Sequence, residues 1–149
     1  MIHARSARED RFREPTLEQL RAGLQEDARE AFDRLRDHLA GLDDVTESFG
    51  WHGSTWGWCL EYRIEGEDGP MAMLAAMPDD PQLIMPIDKA FVDQLPVRRL
   101  KRGIRDGLEL GLEPFDVPWA IWSVHPPNIL DELVDLINRR RAFSASKTG

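Results

Sequence analysis

One cysteine is all this chain contains, and that scarcity narrows its chemistry. Cys59 cannot close an internal disulfide, and alone it cannot supply a thiolate zinc site. Such usage suits a reducing compartment. Long hydrophobic runs are missing too. No stretch approaches the roughly 18 apolar residues of a membrane-spanning helix. The start, Met1-Ile-His-Ala-Arg5, is polar and lacks the apolar segment of a secretory signal. A cytoplasmic protein with no membrane partner is expected. Basic charge is also short: 19 Lys and Arg stand against 27 Asp and Glu, for a net charge of -8. Broad phosphate-backbone binding needs a concentrated basic face, so nucleic acid is not expected as a partner.

Catalytic signatures are equally sparse. His3, His38, His52 and His125 are scattered, without a ligand spacing such as His-x3-His. Ser54 follows Gly53, but no Gly-x-Ser-x-Gly elbow surrounds it. Glycine-rich phosphate loops are absent, and Gly103, Gly107 and Gly111 recur every four residues, which fits close helix packing or weak helicity. The acidic pairs Asp43-Asp44 and Asp79-Asp80 fall in turns, where Asp is favoured for local hydrogen bonding. No catalytic residue, resident metal or cofactor is expected.

What is present describes a globular domain. Hydrophobic residues make up 42% and charged residues 31% of 149. A chain of this length buries about 70% of its unfolded surface without a staple. Residues 1–14 form a loosely held, arginine-rich arm, 15–143 a single domain and 144–149 a tail.

In the domain, Thr16 and Gln19 have the spacing of a capping box. Leu17, Leu20, Leu24, Ala28, Ala31, Phe32, Leu35, Leu39 and Leu42 then form one apolar stripe at helical spacing. Gly23 marks a possible break in that helix, and Gly41 its end. Val45 to Trp51 alternates as a strand, and Trp51 to Thr55 supplies turn residues. A better-marked strand follows, with Trp56, Trp58, Leu60, Tyr62 and Ile64 on one face and Gly57, Cys59, Glu61 and Arg63 on the other. Turns at Gly66–Gly69 and Pro78–Pro81 lead to strands within 71–77 and 82–85. A short helical segment spans 89–95. A basic amphipathic helix begins at Pro96 and stops at Gly111 to Pro114. A last strand lies within 115–124, with Trp119, Ile121 and Val124 opposite Ala120 and Trp122. The closing helix is built on Ile129, Leu130, Leu133, Val134, Leu136 and Ile137 and ends at Arg139–Arg141. Consecutive hairpins imply an α+β fold: a mainly antiparallel sheet of about four or five strands with helices on one face.

Several short motifs carry a likeness. Glu14-Pro15-Thr16 precedes the first helix, and Trp51-His52-Gly53 forms a Trp-X-Gly turn. Gly57-Trp58 opens the strand Leu60-Glu61-Tyr62-Arg63, and a proline follows the next strand. Across 15–141 the chain resembles an uncharacterised bacterial family of small cytoplasmic domains, labelled a domain of unknown function and similar in plan to the YdhG-like α+β domains. The segment from Leu83 to Pro96 and the basic helix have no counterpart there. The resemblance implies a fold more than a function.

The hairpin at 49–64 concentrates three of the five tryptophans, the tyrosine and the cysteine. Large rings on one strand face usually make core, yet Trp and Tyr also suit pockets and interfaces. Trp51, His52, Trp56, Trp58, Tyr62 and Arg63 are therefore the candidate ligand-binding residues of a non-enzymatic binding module. Its partner would be a small molecule, a peptide or a second copy. The alternative is a metal-handling protein or enzyme that uses His52, Cys59 and Glu61, or a thiolate–imidazole pair of Cys59 with His52 or His125. The arginines at 98–105 and 139–141 read as solvated helix faces.

Overall fold

The computed structural model describes residues 7–86, 88–111, 119–124 and 129–148. His3, His125, Leu112 and the segment Phe115–Pro118 of the expected last strand fall outside them.

The capping box at Thr16 is formed. The Gln19 N–H donates to Thr16 Oγ1 (3.1 Å), and the Thr16 N–H donates to Gln19 Oε1 (2.9 Å). It starts α1 (Leu17–Ala22). Gly23 ends α1, and the stripe resumes in α2 (Glu26–Ala40), which closes at Gly41. Both expected glycine boundaries are therefore present.

Five antiparallel strands follow in simple order. They are β1 (Val45–Trp51), β2 (Trp58–Ile64), β3 (Ala72–Ala75), β4 (Gln82–Pro86) and β5 (Trp119–Ser123). Between β1 and β2 lies a single helical turn, α3 (Gly53–Trp56), where turn residues were expected. Helix α4 (Lys89–Asp93) is capped by Asp88, whose carboxylate accepts from the Ala90 N–H at 2.9 Å. Residues 97–99 form a 3-10 turn, so α5 (Arg102–Gly111) starts later than Pro96. Helix α6 (Leu130–Thr148) continues through residues expected to be a tail. Phe143 and Ser144 are buried there, so packing carries the helix past the arginines.

The layers follow from the two-residue period of the strands. On one face, Leu60, Tyr62 and Ile64 join Leu74, Leu83, Met85 and Trp122. They pack against Phe32, Leu35 and Leu39 of α2 and Leu133, Leu136 and Ile137 of α6. The other face holds a much smaller buried group, Cys59, Met73, Ala75 and Ile84, under Trp56, Met77 and Trp119. Val124 belongs to the helical face with Ala120 and Trp122, not with Trp119 and Ile121 as expected. The Trp122 indole N–H donates to Ile104 O (3.2 Å), tying β5 to α5.

No described helix is long and apolar enough to cross a membrane.

Candidate functional site

The hairpin of β1 and β2 pairs Trp51 with Trp58, Phe49 with Leu60 and Glu47 with Tyr62. These side chains lie on the helical face. Trp51 and Trp58 meet edge to face, with ring centroids 5.9 Å apart. Both are half-buried, and the Trp58 indole N–H donates to the Asp10 carbonyl (2.6 Å).

Tyr62 must be removed from the candidate binding set. It is fully buried, and its hydroxyl donates to Glu47 Oε2 (2.8 Å). Arg36 of α2 grips the same carboxylate with Nε (3.0 Å) and Nη2 (2.9 Å). Burial and the adjacent Glu47 carboxylate push the Tyr62 hydroxyl pKa upward. This triad ties α2 to the sheet at the margin of the core, with the Tyr62 ring itself fully covered.

Trp56 also departs from expectation. The Trp-Gly-Trp spacing suggests one continuous strand, but Trp56 ends the turn α3 and β2 begins at Trp58. Gly57 makes the switch with a positive φ of 64°, a conformation open to glycine. Its missing side chain also lets the Arg8 carbonyl approach; a Cβ at position 57 would overlap that oxygen. Trp56 consequently lies on the opposite face from Trp58, over Cys59, Met73, Ala75 and Ile84. Its indole N–H donates to Gln82 Oε1 (3.2 Å), and Gln82 in turn donates to Asp80 (3.1 Å).

The same face holds a polar cluster. Glu61 is only 7% exposed. One oxygen meets His52 Nε2 at 3.2 Å, and the other accepts from Arg63 Nη2 at 2.6 Å. Gly50 of β1 makes this placement possible, since a Cβ there would occupy the carboxylate's space. Arg63 remains exposed. Arg8, in the 3-10 turn Ala7–Glu9, brings a third basic side chain to this end of the sheet. Its Nε and Nη1 are buried and find no hydrogen-bond partner. Neither Arg8 nor Gly50 was a sequence candidate; only a glycine diagonal to an acid on a neighbouring strand could have hinted at the latter.

His52 and Glu61 thus come together, whereas Cys59 is a poor third member. It is fully buried, with its Sγ 4.0 Å from the Trp56 and Gly57 carbonyls. Burial, then the Glu61 charge, push its thiol up to about 12. A thiolate is the nucleophile and the metal ligand, so this environment suppresses both roles. Among the described residues, no three His, Cys, Asp or Glu side chains gather as a metal site.

The acidic pairs have structural partners. Asp44 is bound by Arg141 (2.6 Å), which holds its carboxyl below the ordinary range. Asp79 accepts from Gln25 (2.6 Å). The basic segments also face acids: Arg139 meets Asp135 (2.8 Å), and Lys101 meets Glu132 (2.7 Å). The latter two pairs line a cleft of about 450 Å³ between 96–104 and α6, with Pro96, Leu100 and Ile104 as its apolar wall. Sequence gave no sign of that cleft.

The site's residues therefore divide between two faces. Trp51 and Trp58 belong to the helical side, and His52, Trp56, Glu61 and Arg63 to the other. No family model, curated protein or solved structure matches this chain.

Proposed function

We infer that the chain is a non-enzymatic binding module, and that its contact surface is the sheet face around His52, Trp56 and Arg63. The supporting observation is the pairing of His52 and Arg63 with one buried carboxylate, at the end of the sheet where the Arg8 guanidinium is buried beside Gly57 and a half-exposed indole lies. In a protein of net charge -8, this is a locally basic spot next to apolar surface. It suits a small molecule or peptide that joins an acidic group to an apolar one, with guanidinium meeting the acid and Trp56 the apolar part. Hydrogen bonds to Gln82 and Glu61 hold the indole and the basic groups in place before a ligand arrives, which lowers the ordering cost of binding.

A fragment set of aromatic carboxylates and phosphates, followed by NMR, tests this reading. The indole N–H signal of Trp56 should move on binding, while that of the buried Trp122 stays still. Arg63→Gln should weaken the response about tenfold, as expected for one lost charge-assisted contact of roughly 1.4 kcal/mol. Hits that move Trp122 and leave Trp56 unchanged would transfer the site elsewhere. The metal-handling or catalytic alternative relies on His52 with Glu61. Stoichiometric zinc or iron in the purified protein, lost in His52→Ala, would favour it instead.

A further inference from the structure

Among the described residues, strand β1 stands at one end of the sheet and pairs with β2 alone. Which of its backbone groups face outward follows from two flanking bonds. The Glu65 N–H donates to Asp44 O (3.0 Å), and the His52 N–H donates to Gly57 O (2.9 Å). In an antiparallel ladder, bonded pairs alternate with non-bonded ones. Thr46, Ser48 and Gly50 therefore bond inward to β2, and Val45, Glu47, Phe49 and Trp51 turn their N–H and C=O groups outward. Val45 satisfies its own N–H on Leu42 O (3.3 Å). Among the described residues, no other strand pairs with the rest of that edge.

Nothing in the strand blocks such pairing. Val45-Thr-Glu-Ser-Phe-Gly-Trp51 has no proline, lysine or arginine, the usual guards of an edge. Its side chains are also under-covered. Val45, Phe49 and Trp51 are only half-buried, although Ile64 and Leu60, opposite Val45 and Phe49 on β2, are buried. A strand laid alongside would cover them.

We propose that β1 is a self-association edge, and that two copies of this chain pair β1 to β1, antiparallel, about a twofold axis through Ser48. The sequence selects that register. Outward-facing residues must lie opposite one another, which leaves three choices near the strand centre. Centring on Glu47 sets two carboxylates face to face, which is unfavourable. Centring on Phe49 runs Val45 and Thr46 past the strand, opposite Gly53 and His52 of the other copy. Centring on Ser48 pairs all seven residues: Val45 with Trp51, Thr46 with Gly50, Glu47 with Phe49. No like charges meet, and a β-branched residue lies opposite an aromatic one at each end, a favourable cross-strand pair. The result is one continuous sheet of twice the width, with an isologous interface. Each copy carries a net charge of -8, so added salt should tighten the pair by screening their repulsion.

Light scattering across a concentration series, at low and moderate salt, reads the association. The mass should rise from 17.1 kDa toward twice that value. Ser48→Lys, at an exposed position, places two ammonium groups across the axis and should return the protein to a monomer. Ser48→Cys tests the register directly. Its two copies would face each other at a non-bonded pair, with Cα atoms about 4.5 Å apart, within disulfide range. Mild oxidation should cross-link that variant and leave Thr46→Cys, which would lie opposite Gly50, uncross-linked. A protein that stays monomeric at every concentration while Ser48→Cys cross-links no faster than Thr46→Cys overturns the proposal. So does a dimer that survives Ser48→Lys unchanged.

Discussion

On the helical face of the sheet, Leu60, Tyr62 and Ile64 of β2 share one buried cluster with residues of α2 and α6, and that cluster extends from Leu20 to Phe143. One residue along the same strand, Cys59 and Glu61 meet only a few side chains: Trp56, Met77 and Trp119 for the apolar group, His52 and Arg63 for the acid. Each face also carries a carboxylate bound by an arginine, half-buried on the helical side and buried on the other. Glu47 is held by Arg36 and Tyr62 beneath α2, and Glu61 by His52 and Arg63 at the rim. The first arrangement joins two layers. The second leaves Arg63 exposed and joins nothing beyond its own hairpin. An ion-pair cluster with no layer to hold together is the better candidate for recognition.

Truncation should show the largest contrast. Leu35→Ala on α2 should lose about 4–5 kcal/mol, near the top of the range for large-to-small core changes, because layers on both sides hold the cavity open. Met73→Ala, under side chains that can settle into the gap, should fall nearer 2 kcal/mol. Chemical denaturation reads both, and equal losses would mean that the two faces are packed alike. Gly50→Ala comes next. The new Cβ must displace the Glu61 carboxylate, at a cost of roughly 1–3 kcal/mol for overpacking. Most of that loss should disappear in a Glu61→Ala background, where the space is vacant; an additive double mutant would separate the two residues.

The smallest effect, taken over one pH unit, is alkaline sensitivity. Cys59 and Tyr62 both have raised pKa values, so the folded state keeps protons that the unfolded chain releases. Their stabilising contribution is complete below the ordinary thiol value of 9.0 and declines as pH rises from there toward about 12. Each group can contribute at most about 1.4 kcal/mol per pH unit. Thermal melts between pH 8 and about 10.5 should show stability falling, with a shallower slope in Cys59→Ala. An unchanged slope would mean that Cys59 ionises freely in the folded protein.

The fold was legible wherever one local rule acted alone. The box at Thr16 and Gln19, the break at Gly23 and the alternation of β1 all appear in the structure as the residues suggest. Misreadings arose where a pattern met a competing constraint. Trp56 fits the two-residue period of β2, but the backbone at Gly57 inserts a helical turn and sends the ring to the other face. Ser144 to Thr148 looks like a polar tail, yet buried Phe143 and Ser144 carry α6 onward. The candidate site was legible as a composition, a hairpin rich in rings with His52, Glu61 and Arg63. Its division between two faces was not, since that depends on where one strand begins. Arg8 lies about fifty residues from the hairpin it joins, and no local pattern announces such a contact.

Helix α6 has one more consequence. Arg140 reaches Glu67 in the turn after β2 (3.1 Å), and Arg141 reaches Asp44 at the entry to β1 (2.6 Å). Leu133, Leu136 and Ile137 of the same helix complete the core beneath the strands. During synthesis, strands β1 to β4 exist as a chain well before the helix that seals them. At about 5–20 residues per second, the part of the apolar side that α6 covers waits several seconds for that helix, while α2 is already made. Order of manufacture, as well as final stability, therefore bears on how long that apolar surface stays uncovered.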